Sequence, residues 1–216
     1  MNTQEQFAIT VSREIGSGGH TIAMKLAQKL GVQLYDKELI RELEKRFDLT
    51  PSTIEALKGE KKHWMADFIH RVVPAPTPAA FVGSTRLYGK EYVNQPTTDE
   101  IFMAEQDIVR SLVEDDSCVI AGRSGFFVLR EFPNKLDIFI TAPLEYRIAR
   151  VMEKQSLSRH QAEDVIERVD RMRENYIRRY TGRSRYDARN YHLCLNVGDM
   201  SEDEAVEVIM AYIKRG

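Results

Sequence analysis

Three glycines in four residues, Gly16, Gly18 and Gly19, stand between a short β-forming run at 7–11 (Phe-Ala-Ile-Thr-Val) and apolar residues at helical spacing: Ile22, Ala23, Leu26, Ala27 and Leu30. A glycine-rich turn from strand to helix constrains the chain strongly. It lets consecutive backbone N–H groups converge on one point, and the helix N-terminus adds a positive dipole there. Such a turn is a candidate anion cradle, and it predicts that the chain opens as an α/β protein. Gly31 follows the last apolar residue and closes the helix.

The rest of the chain repeats the alternation. Runs at 32–35, 118–121, 137–141 and 193–197 read as further strands. Asp36 caps a helix carrying Leu39, Leu43 and Phe47, and Asp99 caps one carrying Ile101, Phe102, Val109 and Val113. Pro143 suits the first position of the next helix. Ser158 with Gln161, and Ser201 with Glu204, are capping boxes. Five short apolar strands separated by helices predict a five-stranded parallel sheet with helices on both faces, in one domain over 1–216. In such sheets ligands lie beyond the carboxyl ends of the strands. The positions to inspect are therefore 12–21, Asp36, Gly122-Arg123, 141–142 and 198–199. Residues 50–98 break the pattern. A helix is expected over 52–73, then a stretch at 74–98 with four of the seven prolines. It reads as a loop-rich insertion with Phe81, Tyr88 and Tyr92 to pack.

A net charge of −2 does not point to nucleic acid for the whole chain. The charge is uneven, however. Residues 168–189 carry eight arginines against three acids, a local net of +5. A segment that repels itself this strongly calls for an anionic partner. RNA is one reading of it, supported by the interleaved Tyr176, Tyr180, Tyr186 and Tyr191. There is no run of 18 apolar residues, and the N-terminus is polar, so a cytoplasmic location and no membrane contact are expected. Cys118 and Cys194 lie in apolar runs and are expected to be buried thiols.

Against the phosphate-loop pattern G-x-x-x-x-G-K-[ST], Gly18 takes the second glycine, Arg13 the first, Gly19 the lysine and His20 the hydroxyl position. The missing lysine normally neutralises the β- and γ-phosphates. Arg13 is the nearest replacement, with the arginines at 171–183 as the others.

The stretch 9–40, ITVSREIGSGGHTIAMKLAQKLGVQLYDKELI, resembles the opening of the cytidylate-kinase-like proteins, within the P-loop nucleoside monophosphate kinase superfamily. The likeness returns at Val119-Ile120-Ala121-Gly122-Arg123, across 136–150 and across 191–213, and fails over about 50–98. It implies ATP-dependent phosphoryl transfer to a nucleoside monophosphate with Mg²⁺, CMP or dCMP leading. Ser12, Gly16, Ser17, Gly18, Gly19, His20 and Thr21 would hold the nucleotide phosphates, Thr21 also lying near the metal. Asp36 and Arg123 would serve the acceptor, and 50–98 would form its subdomain. Arg178, Arg179 and Arg183, at the helix break 180–182, would join Arg13 in catalysis as part of a lid over 168–190. Gly19, and Ser124 in place of an aspartate after Gly-Arg, depart from the family pattern. The other reading is a nucleotide-binding regulatory module without transfer. The partner expected is a small nucleotide, not nucleic acid, with a homodimer left open.

Overall fold

A computed structural model describes residues 1–36 and 98–215. The helix expected after Asp36, the helix over 52–73 and most of the insertion, including Trp64, Phe81, Tyr88 and Tyr92, lie outside the described residues. In chain order the elements are β1 (Ala8–Arg13), α1 (Gly19–Leu30), β2 (Gln33–Tyr35), α2 (Thr98–Asp115), β3 (Cys118–Ala121) and α3 (Gly125–Val128). Then come β4 (Lys135–Thr141), α4 (Leu144–Gln155), α5 (Arg159–Thr181), β5 (Leu193–Asn196) and α6 (Glu202–Arg215). The strands form one parallel sheet in the order β2-β3-β1-β4-β5.

Side chains alternate across the sheet, as the strand period of two requires. Ile9 and Val11 of β1, with Val119, Ile138 and Ile140, face α1 and α6 and pack on Ile22, Leu26 and Ile209. Ala8 of β1, with Cys118 and Ile120, faces the other way against Val109 and Val113 of α2 and Val128 and Leu129 by α3. Helices thus cover both faces. Helices α4 and α5 pack on each other through Ile148, Val151, Val165 and Ile166.

Both capping boxes form. Ser158 N–H donates to Gln161 Oε1 at 2.8 Å while Gln161 N–H donates to Ser158 Oγ. Ser201 and Glu204 make the same exchange. Three local expectations are corrected. Asp99 is not a cap: α2 starts one residue earlier, and the Asp99 carboxylate accepts from Arg179 and Tyr180. Pro143 stands just before α4 as its cap residue, one position early. Strand β1 runs two residues past its apolar run, because pairing with β4 continues through Ser12↔Phe139 and Arg13↔Ile140. Arg13 is therefore the last residue of the central strand, not part of the loop.

The cysteines differ from each other. Cys118 is buried in β3, and burial pushes its thiol up to about 12. Cys194 lies exposed on the edge strand β5, so its apolar sequence neighbours misrepresent its position. A thiol reagent should modify one cysteine of the folded protein, Cys194, and reach Cys118 only on unfolding. Peptide mapping after brief labelling with 5,5′-dithiobis(2-nitrobenzoate) checks this. Among the described residues no helix is long and apolar enough to cross a membrane.

Candidate functional site

The turn between β1 and α1 sits at the carboxyl end of the central strand. Gly16 and Gly18 both adopt φ +80°, a left-handed conformation that costs glycine nothing. Gly18 caps α1, so the N–H groups of Gly19, His20 and Thr21 have no acceptor within the helix. The loop is pinned from behind. Glu14 N–H donates to Ile140 carbonyl, Ser17 Oγ donates to Glu14 carbonyl, and Ile15 N–H donates to Asp170 Oδ1 at 3.2 Å. Arg147 of α4 donates through Nε to Ile15 carbonyl at 2.8 Å, and its other nitrogens meet Glu14 and Asp170. A Cβ at Gly16 would stand 2.7 Å from the Arg147 carbonyl, so the loop closes directly on α4. The carboxylates of Glu14 and Asp170 are thus spent on arginine, and the loop's outer face is left to N–H groups and cations.

That face lines a cavity of about 180 Å³. Arg13, Arg150, Lys154 and Arg173 surround it together with Gly18 and Thr21. Beside it lies a second cleft, of about 200 Å³, between the ends of β1 and β3 and the inner side of α5. Arg13, Arg123, Arg173 and Arg185 line this cleft, with Asp36 and Tyr176. Arg13 and Arg173 belong to both cavities.

Arg13 is held in place on every side. Its Nη2 lies 3.3 Å from Asp36 Oδ1, and its stem fills the space above Gly19. Burial, with Arg123 and Arg185 nearby, lowers its pKa, and Asp36 opposes that shift. The guanidinium stays protonated all the same. A Cβ at Gly19 would lie 2.5 Å from the Arg13 Cβ, and one at Gly122 would meet the Arg13 guanidinium. The absent lysine and the extra arginine are therefore one change. The stem of Arg13 occupies the room a side chain at position 19 would take. Gly19→Lys should accordingly cost about 1–3 kcal/mol as an overpacked site. Adding Arg13→Gly should recover most of that loss, a coupling that chemical denaturation of the two single variants and the double variant measures.

The second cleft is strained and incompletely satisfied. Gly122, Arg123 and Ser124 are all left-handed, at φ 78°, 58° and 54°. Two such non-glycine residues in succession are held there by their surroundings. Ser124 is 5% exposed, yet its Oγ has no hydrogen-bond partner among the described residues; the same is true of Arg185 Nη1. Arg123 leans on Glu105 at 3.5 Å. Glu105 is buried in α2 and also accepts from Tyr176 at 2.6 Å. Burial and that carboxylate push the Tyr176 phenol up, so it remains a donor. Arg173 and Arg185 both donate to Arg13 carbonyl, which ties α5 and the following loop to the end of β1.

Of the expected residues, Ser12, Arg13, Asp36 and Arg123 meet at the second cleft, and Gly16, Gly18, Gly19, His20 and Thr21 at the first. Ser17 is buried beneath the loop and bonds to Glu14. His20 directs Nδ1 to Asp36 Oδ2 at 3.0 Å. Arg178, Arg179 and Arg183 line neither cavity. They pair with Glu174, Asp99 and Asn190 respectively. Helical phase is the reason for the first two: α5 runs unbroken to Thr181, and Arg173 shares its inward face with Asp170 and Ile177, while 178 and 179 point elsewhere. Arg183 lies past the Gly182 cap in the following loop. Glu105, Arg147, Asp170 and Arg185 are not among the expected site residues, and Arg173 is expected only as one of the arginines at 171–183. For the helical ones the signal is a charged residue in register with an apolar stripe, as Glu105 is with Ile101 and Val109; Arg185 lies in the loop after α5 and carries no such signal.

A model of the cytidylate kinase-like family matches residues 8–199. A crystal structure of an uncharacterized protein from Eubacterium ventriosum is 26% identical, with a TM-score of 0.68 over 97% of this chain and 99% of that one. Shikimate kinase from Bacteroides thetaiotaomicron shares the fold at 12% identity, with a TM-score of 0.52 over 96% of this chain and 98% of that one. A gluconokinase from Sinorhizobium meliloti does so at 13% identity, with a TM-score of 0.51 over 97% and 93%. A uronate isomerase from Corynebacterium glutamicum is 33% identical over 95 residues, which is 44% of this chain. The match spans 18% of that protein's length.

Proposed function

The chain belongs to the cytidylate kinase-like family, and from that premise we propose that it transfers the γ-phosphoryl group of ATP to a nucleoside monophosphate, with CMP or dCMP the leading acceptor. The observation that carries this reading is the pair of adjoining cavities that share Arg13 and Arg173. The donor phosphates rest on the loop N–H groups, the acceptor occupies the arginine-lined cleft, and the phosphoryl group crosses where both cavities meet the same two guanidinium groups. A loose transition state spreads charge over equatorial oxygens, and arginine forks suit that distribution.

Each residue has a part in this reading. Gly16, Gly18, Gly19 and His20 offer backbone N–H groups to the donor phosphates. Arg13 supplies the charge of the missing lysine, oriented by Asp36. Arg123, positioned by Glu105, and Arg185 hold the acceptor phosphate. The Ser124 hydroxyl is left for an acceptor oxygen. Mg²⁺ fits as an ion carried in with the nucleotide: no cluster of three acidic, histidine or cysteine side chains is found among the described residues, and Mg²⁺ is commonly held by phosphates, waters and one or two protein groups. Thr21 on the first turn of α1 would hold it, and the ion would supply positive charge against the donor phosphates. Arg178 and Arg179, solvent-facing here, belong to this reading only as residues of a lid that closes with acceptor bound.

An acceptor panel tests the reading. Coupled ADP release is measured with CMP, dCMP, UMP, AMP and GMP, and with shikimate and gluconate as hydroxyl acceptors. Turnover confined to the monophosphates, fastest with CMP or dCMP, supports it. Turnover with a hydroxyl acceptor alone replaces the acceptor, and the role of Ser124 and Arg185 with it.

A further inference from the structure

At the start of β4, away from the phosphate loop, lies a third cavity, of about 240 Å³. It shares one wall with the acceptor cleft, the ring of Phe126. Its polar lining is almost wholly basic: Arg130, Lys135, Arg183, Arg189 and His192. The one acid in that lining, Asp137, is buried and already satisfied. It accepts from Thr10 Oγ1 at 2.6 Å, pairs with Lys135 at 2.6 Å and lies 3.5 Å from His192 Nδ1. Asp137 and Lys135 neutralise each other, which leaves three arginines and an imidazole around the space.

None of those arginines uses all of its donors. Arg183 donates to the neutral side-chain oxygen of Asn190 at 3.0 Å. Arg189 is 90% exposed and forks onto Asp187, through Nε at 2.9 Å and Nη2 at 2.7 Å, and Arg130 pairs with its exposed neighbour Glu131. The exposed Arg130–Glu131 pair contributes little and exchanges partners readily, while the fork onto Asp187 leaves Arg189 Nη1 for a further acceptor. The frame behind them is firm. Asn190 also donates to Ser184 carbonyl at 2.8 Å, Tyr191 packs on Phe126 and Phe139, and its phenol donates to Arg185 carbonyl at 2.7 Å. Arg130 lies over the Phe127 ring at 4.7 Å. Three planar forks around one space offer more donors than a carboxylate can accept, whereas a phosphate dianion has oxygens for them.

We propose that this cavity is a second phosphate-binding site, formed by Arg130, Arg183, Arg189 and His192 and separate from the phosphate loop. The phosphate is either free or the ester group of a mononucleotide, whose base would have the aromatic edge of Phe127 and Tyr191. The proposal does not depend on the kinase reading, since it needs no transfer.

Inorganic phosphate is titrated calorimetrically into the full chain, alone and with a saturating non-hydrolysable ATP analogue. The titration is repeated on the double variant Arg130→Ala/Arg189→Ala, whose thermal midpoint checks folding, and on Arg189→Glu. The expected result is a saturable phosphate-binding component, beside any at the phosphate loop and the acceptor cleft, whose Kd changes less than twofold with the analogue and weakens at least tenfold in both variants. A second titration with CMP distinguishes the sources. If the component lost in the double variant is tighter for CMP than for phosphate, the ligand is the nucleotide ester; if it is not, the ligand is free phosphate. Phosphate binding that the analogue abolishes, that the variants leave within twofold, or that is absent altogether overturns the proposal.

Discussion

Arg13→Ala is expected to lower kcat by roughly 10²–10³-fold, about 2.7–4 kcal/mol of transition-state stabilisation, with a smaller change in ATP affinity. The guanidinium stands at the end of the central strand, lines both cavities, and occupies the room from which position 19 is excluded. In the proposed transfer its charge acts when charge builds up between donor and acceptor, with ground-state binding left to the loop N–H groups. Arg13→Lys should retain part of the rate, since it keeps the charge and loses the fork. Initial rates beside equilibrium titrations of ATP separate the two effects. An unchanged kcat in Arg13→Ala would move the cation's role to Arg173.

Asp170→Ala is expected to cost about 3–5 kcal/mol of stability, the penalty for breaking a buried ion pair from one side. Asp170 is buried on α5 and faces Arg147, Arg185 and Ile15 N–H. Removing it leaves two buried guanidinium groups short of a counter-charge and frees Ile15 N–H of the glycine-rich loop from α5. Arg171→Ala, one residue on, is the control. It breaks only an exposed pair with Glu167 and should cost less than about 0.5 kcal/mol. Urea unfolding of both variants gives the comparison. Equal small losses would mean that α5 does not anchor the loop.

The sheet and its helices were legible because strand and helix periods are local properties. The runs at 118–121 and 193–197 and the two capping boxes can be read from a few neighbouring residues. The glycine-rich turn was legible for the same reason, since Gly16 and Gly18 answer a local backbone demand. Arg13 was legible as a suspect, but the link between it and Gly19 was not, because the clash appears only when β1 and α1 meet in space. The arginines of 168–189 show the limit most clearly. Counted as a run, they look equivalent, and the helix break near Gly182 drew attention to Arg178, Arg179 and Arg183. Helical phase separates them: Arg173 falls on the face shared with Asp170 and Ile177, and Arg185 is carried back to Arg13 carbonyl by the loop. Glu105 and Asp170 were hidden because each is a single acid within an apolar stripe. Cys194 shows the converse, an apolar neighbourhood on an edge strand that solvent reaches.

Transfer across the junction that Arg13 and Arg173 share would move labelled phosphate from ATP to the acceptor. The protein is incubated with ATP carrying radiolabel in the γ-phosphate, Mg²⁺ and CMP, and the products are separated chromatographically. The expected result is label in CDP in a single turnover, lost in Arg13→Ala while ATP binding persists. Label that stays in ATP or appears only as inorganic phosphate, across every monophosphate acceptor and with ATP demonstrably bound, would contradict it and leave a protein that binds nucleotide without transferring phosphate.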